Sequence, residues 1–407
     1  MTASAVLEGG PASGAERAFP ALDGVRALAA TAVVTTHVAF WTAHYTPDVI
    51  GRALARLDVG VAVFFVLSGF LLSRPLFLAA AERRPAPRAA AYLWRRALRI
   101  LPAYWLTVAA AFLLLPGNRA AGVAAWARQL ALLQIYRPGW FAEGLSHTWS
   151  LSTEVAFYLV LPLAGAGLVR LSRHRPGRPA RVLGALAVAA VLGLAWIAWV
   201  WTARPSTAPL EQWLPGFAGW FGAGMALAVL SVSDRDWWPV RLLHDIGSSL
   251  ATCWAGAAAL FWIATSTVAG PETLTAPTPA QAVVRNLLYL GIAALVVLPL
   301  VFGDQTRGRT RLVLAGPAAR FLGEISYGLF LLHVLVLAVG FRALGMAPFT
   351  GNVVAVWIGT WLIGVALATA VYLLVERPLR RWRGLVATRG GSTSAATTAA
   401  RATSARA

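Results

Sequence analysis

Ten apolar stretches alternate with short polar ones along the chain, at roughly 21–42, 58–79, 98–115, 149–169, 182–203, 213–232, 246–267, 282–302, 322–342 and 353–375. Each is near the ~20 residues that a helix needs to cross a bilayer. The pattern predicts an all-α, polytopic transmembrane bundle of about ten spans. The third stretch is short, and 123–136 behind it reads as a helix lying at the interface. There is no clear internal repeat and no soluble domain after the last span. Residues 19–383 therefore read as one membrane domain, between short disordered tails at 1–18 and 384–407. The first tail lacks the basic start and apolar run of a signal peptide.

Composition agrees. The chain has 407 residues, 58% hydrophobic and 13% charged, with a mean hydropathy of +0.66. Soluble domains carry about 25% charged residues. The net charge is +19 and every basic residue is Arg, which reads as the codon usage of a GC-rich genome. Such a charge would suit nucleic acid, but the arginines gather at the ends of apolar stretches, which argues against that partner. Even-numbered loops are richer in them than odd-numbered ones: Arg83, Arg84, Arg88, Arg95 and Arg96; then Arg170, Arg173, Arg175, Arg178 and Arg181; then Arg307, Arg309, Arg311 and Arg320. Arg377, Arg380, Arg381 and Arg383 follow the last span. By the positive-inside rule both termini are cytoplasmic. Arg119, Arg128 and Arg137 in the third loop are the exception; of two readings, binding of an anionic or sugar acceptor and a solvated interfacial helix, the second is preferred. The lone Cys253 offers neither a disulfide framework nor a thiolate metal site.

Ionisable groups inside spans carry the candidate chemistry, because they are costly there and usually functional. Arg26 and His37 share the first span. Eleven residues rise about 16 Å and return to nearly the same helix face. Arg26 then lies near the cytoplasmic surface and His37 in the outer half. Their bland alternatives are a snorkelling anchor and a packing hydrogen bond. Glu154 in HTWSLSTEVAFYLVLPL sits at a depth like that of His37. A His37–Glu154 pair would satisfy both groups and orient the imidazole. Arg96 and Arg99 share a face at the start of the third span and, with Arg26, form a candidate phosphate cradle. Ser68-Gly69 in mid-membrane reads as a close helix approach. His333 is read as lining a cavity, with a satisfied packing histidine as the alternative. His44, His174 and His244 read as loop or interface residues. No Walker loop, dinucleotide signature, metal-ligand cluster or nucleophile elbow is present.

Five blocks, in this order, resemble the acyltransferase-3 family of bacterial membrane O-acyltransferases: LDGVRALAATAVVTTH, FFVLSGFLLSR, RRALRILPAYW, HTWSLSTEVAFYLVLP, and ISYGLFLLH followed by VERPLRRW. They span residues 20–383. The resemblance implies a multi-pass enzyme of the bacterial cell membrane. It would move an acyl group, acetyl or another short chain, from acyl-CoA to a hydroxyl of a sugar, glycan, glycolipid or, in actinomycetes, a macrolide antibiotic. It implies that His37 is the essential histidine, that Arg26, Arg96 and Arg99 bind the donor, and that Trp149, Ser150, Leu151 and Glu154 form the Trp-Ser-Leu-x-x-Glu motif. His147 joins the cavity candidates beside Ser68, Ser150 and His333. No metal is expected. Two departures stand out: Val155 replaces a frequent second Glu, and the extracellular hydrolase-like domain of many members is absent. On this reading His37 is a general base for direct transfer. An acyl-His or acyl-Ser route through Ser150 or Ser152 stays open. Composition alone would equally suit a transporter or flippase; the joint Arg, His and Glu pattern separates the two.

Overall fold

The structure, a computed structural model, describes residues 19–137, 141–172, 178–203, 209–271, 275–304 and 307–386. The predicted tails up to residue 18 and beyond 386 lie outside the described residues, as do Arg173, His174 and Arg175. Helices and turns make up the described part, with no strand among the described residues. Each predicted apolar stretch is helical. The main helices are α1 (Ala21–Trp41), α2 (Gly60–Ala81), α3 (Ala89–Leu114), α4 (Trp149–Ser172), α5 (Arg178–Ala203), α6 (Ala218–Ser231), α7 (Trp238–Ser248), α8 (Leu250–Ala264), α9 (Pro279–Phe302), α10 (Pro317–Ala343) and α11 (Val353–Val371).

Eight helical stretches are long and apolar enough to cross a membrane, or nine if α7 and α8 count as one. Helix α1 is not among them. It has 21 residues, but Asp23, Arg26 and His37 lower its apolar content. Three details correct the sequence reading. The third span is not short, because the arginine-bearing run before it continues the helix to 26 residues. The seventh is broken: α7 and α8 meet at 87°. Ser249 leaves the helical conformation there and its side chain caps Thr252 N–H, while buried Arg311 donates to the carbonyls of Gly247 (2.7 Å) and Pro299 (3.2 Å). At Gly247 the guanidinium thus satisfies a carbonyl at the broken end of α7, and at Pro299 it ties that end to α9. The interfacial segment is a helix over Val123–Leu130 only, followed by a turn at Gln134–Tyr136.

Two tight helix pairings set the site. Helix α2 crosses α6 where Gly69 and Gly224 meet: a Cβ on Gly69 would collide with the Phe221 carbonyl, and one on Gly224 with the Val66 carbonyl. Small residues are what allow such an approach, so the close contact expected at Gly69 is present. Helix α1 lies along α10, and α11 covers both. After Val371 the last helix passes through a π turn, Tyr372–Glu376, before the arginine-rich end.

Candidate active site

Three histidines from separate helices converge in the bundle. His37 comes from α1, His333 from α10, and His147 from the turn that opens α4. His333 and His147 are buried, and His37 is half-buried. Ring centroids are 4.9 Å apart for His37–His333, 4.7 Å for His147–His333 and 6.1 Å for His37–His147.

Hydrogen bonding fixes where the protons sit. His333 Nδ1 is 2.6 Å from the Phe330 carbonyl, so it must donate, and His333 Nε2 is left as an acceptor. That Nε2 lies 3.2 Å from His37 Nδ1. His37 Nδ1 is also 2.8 Å from the Val33 carbonyl, so it carries the hydrogen and serves both acceptors. The basic lone pair of His37 is therefore on Nε2. His147 Nε2 donates to the Leu331 carbonyl at 3.1 Å, and its buried Nδ1 has no partner among the described residues.

Toward one end of the bundle opens a cavity of about 1460 Å³. Nine arginines line it, Arg26, Arg95, Arg96, Arg99, Arg320, Arg377, Arg380, Arg381 and Arg383, against three carboxylates, Asp23, Glu154 and Glu324. Such an excess of guanidinium suits a multiply charged anion. Arg96 Nε and Arg380 Nε are buried without a partner among the described residues, so donors remain for a ligand. Arg26 makes no hydrogen bond or ion pair among the described residues and feels the charge of Glu376. Arg99 differs. It is ion-paired with buried Glu376 and donates to the Glu324 carbonyl at 2.9 Å, which makes it a strut of the cavity wall as much as a ligand donor.

The expected His37–Glu154 pair is not formed. Glu154 accepts from Ser68 Oγ and neighbours Tyr158 and Arg96, so it belongs to the arginine cavity. The partner of His37 is His333, because α1 lies against α10 while the neighbours of Glu154 come from α2 and α3. His333 does not line the cavity; it and His147 stand behind Phe330, whose ring bounds the cavity and lies 5.2 Å from that of His147. Ser150 lines the cavity, but its hydroxyl donates to the His147 carbonyl at 3.2 Å. Ser152 donates to the Thr148 carbonyl. Neither serine bonds an imidazole. Trp149 packs against Phe217 at 5.5 Å. His44 and His244 bond backbone carbonyls near helix ends, in keeping with loop or interface roles. Sequence reasoning passed over Glu376, Glu324 and Phe330. For the two carboxylates the signal was present: Glu324 lies inside an apolar stretch, where a carboxylate needs a partner, and Glu376 sits in the quoted block VERPLRRW. Among the described residues no group of three His, Cys, Asp or Glu is arranged to hold a metal ion.

Comparison with known proteins supplies the class of chemistry. The model of a family described as "Acyltransferase domain" matches residues 19–377. Acyltransferase MdmB of Streptomyces mycarofaciens is 26% identical over 390 residues, covering 90% of this chain and 92% of that protein. No solved structure matches.

Proposed function

The chain belongs to the acyltransferase-3 family and is an acyltransferase, and we propose that it moves a short acyl group from acyl-CoA to a hydroxyl of a sugar, glycan, glycolipid or macrolide-type acceptor. One observation carries the reading: a half-buried imidazole with its lone pair on Nε2 belongs to a histidine cluster packed behind Phe330, and Phe330 bounds a cavity lined by nine arginines. Coenzyme A offers phosphates for such a cavity and a thioester at the far end of a thin arm. Arg26 and Arg96 hold the phosphates, and Arg99, braced by Glu376, keeps the wall in shape.

In the proposed reaction His37 Nε2 takes the proton of the acceptor hydroxyl. The oxygen attacks the thioester carbonyl, a C–O bond forms, the C–S bond breaks, and the departing thiolate takes the proton back from His37. His333 and the Val33 carbonyl accept from His37 Nδ1–H throughout. They fix the ring and favour its protonated form. Direct transfer is preferred over an acyl-serine, because Ser150 and Ser152 bond carbonyls and no base.

We further propose ten spans, with α1 as the first and the bent α7–α8 pair as the seventh, both termini in the cytoplasm, and residence in a bacterial cell membrane. Apolar helices and the loop arginines support this arrangement.

The test supplies labelled acetyl-CoA and a hydroxyl acceptor to membranes holding the full chain. Thiol release with an O-acylated product is expected, and both are lost in His37→Ala. Accumulation of a solute that stops when the ion gradient collapses, with no acylated product, would overturn the proposal.

A further inference from the structure

A second, smaller pocket of about 310 Å³ lies on the other side of the histidines, lined by Phe40, Trp41, Phe141, Ser146, Val334 and Phe349 among others. Three chain segments show the same order. Along α1, Arg26 lines the arginine cavity, His37 joins the cluster, and Phe40 and Trp41 line the second pocket. Along α10 the order is Phe330, His333, Val334. Along α4 and its opening turn it is Ser150, His147, Ser146, with the chain running the opposite way. The histidines line neither pocket; along each of these segments they fall between two pockets of contrasting chemistry.

Phe349 marks the small pocket as a built site. It is 54% exposed. Its backbone is left-handed, with φ 66°, a conformation costly for a bulky residue. The strain is held by its N–H, which donates to the Trp41 carbonyl at 2.8 Å, and by its ring, edge-on to Phe40 at 5.3 Å. At the rim, exposed Ser146 offers a hydroxyl, and Glu143 offers a carboxylate steadied by Gly117 N–H at 2.9 Å. Aromatic walls with a few placed polar groups are the usual make-up of a small-molecule site.

Resting on the acyl-transfer reading above, we propose that this pocket is the acceptor site. It takes one sugar-sized ring that presents an apolar face to Phe40 and Phe349 and a hydroxyl to His37. Its volume is at the low end of the ~300–1,000 Å³ usual for ligand pockets, so the rest of a larger acceptor stays outside. Donor and acceptor then approach the histidines from opposite ends.

The test uses the purified full chain and a photoreactive aryl hexoside, 4-benzoylphenyl β-D-glucopyranoside. After irradiation the labelled peptides are mapped by mass spectrometry, with thiol release from acetyl-CoA followed in parallel using phenyl glucoside. Labelling is expected within residues 40–41, 141–146 or 346–349, undiminished by excess CoA. Phe349→Ala should lower it roughly 2–10-fold, the size of one aromatic contact, and Phe349→Tyr should restore it. Labels confined to the arginine cavity, no labelling, or labelling indifferent to Phe349→Ala would each overturn the assignment. Thiol release with labels elsewhere keeps acyl transfer and removes the pocket. Labels in the pocket without thiol release keep the pocket and remove acyl transfer.

Discussion

His333 Nε2 lies 3.2 Å from His37 Nδ1, across 296 positions of sequence. Because His333 Nδ1 must donate to the Phe330 carbonyl, the direction of the whole chain of bonds is set. His37 gives its Nδ1 hydrogen inward and keeps Nε2 basic. The arrangement resembles a catalytic dyad in which a second imidazole stands where a carboxylate is more often found.

Removing the base should cost the general-base contribution, ~10²–10⁴ in rate. His37→Ala is expected to lose that much kcat at unchanged protein level. His333→Ala should lose less, in kcat and with the donor KM unchanged, because it frees the ring of His37 without deleting it. Initial rates against both substrates check this; an unaltered kcat in either variant would contradict the dyad.

Arg96 and Arg99 should behave differently although they share a helix face. Arg96 has an unpaired buried donor, so Arg96→Ala should raise the KM for acyl-CoA by roughly 10–150-fold, the worth of a hydrogen bond to a charged group. Arg99→Ala leaves buried Glu376 without its cation, a loss of about 3–5 kcal/mol of stability. Thermal unfolding should show a large drop for Arg99→Ala, partly recovered by adding Glu376→Gln, and little change for Arg96→Ala.

Glu154→Gln separates the two ends of the site. Glu154 accepts from Ser68 and borders the arginine cavity, so the change should move the donor KM by roughly 2–10-fold, about one hydrogen bond. The acid limb of the kcat–pH profile, which reports the base, should stay where it is. A displaced limb would mean that Glu154 acts on His37 after all.

Gly69→Leu should lower thermal stability, because Phe221 and Gly224 leave no room for a side chain. Overpacking of this kind costs about 1–3 kcal/mol or more. Gly359→Leu is the matched control: a Cβ there meets nothing within 4 Å, so unfolding in detergent should be unchanged. Equal effects at the two positions would refute the close α2–α6 crossing.

Much of this was readable in the chain. Spans follow from apolar length alone, so every predicted stretch is helical. The polar residues that such spans tolerate, among them Arg26, His37, Glu154 and His333, do gather at two adjoining places. What could not be read is register between distant helices. Whether His37 meets Glu154 or His333 depends on which helix α1 lies against, and hydropathy is blind to that choice. The break at Ser249 was hidden for a related reason: the residues on both sides are apolar enough for one straight span, and Arg311, which meets the broken end, lies 64 positions beyond Gly247. The role of Arg99 was missed because its counter-charge, Glu376, is 277 residues away.

The π turn at Tyr372–Glu376 has a geometric corollary. It winds one surplus residue into the last helix, and each residue of a helix turns the chain by ~100°. Everything downstream is out of angular step with α11 by that amount. The step swings Arg377, Arg380, Arg381 and Arg383 round to the mouth of the cavity. Deleting a single residue there, with no charge altered, would rotate the mouth's guanidiniums away from the cavity they line. At this end of the molecule, spacing governs charge placement as much as residue identity does.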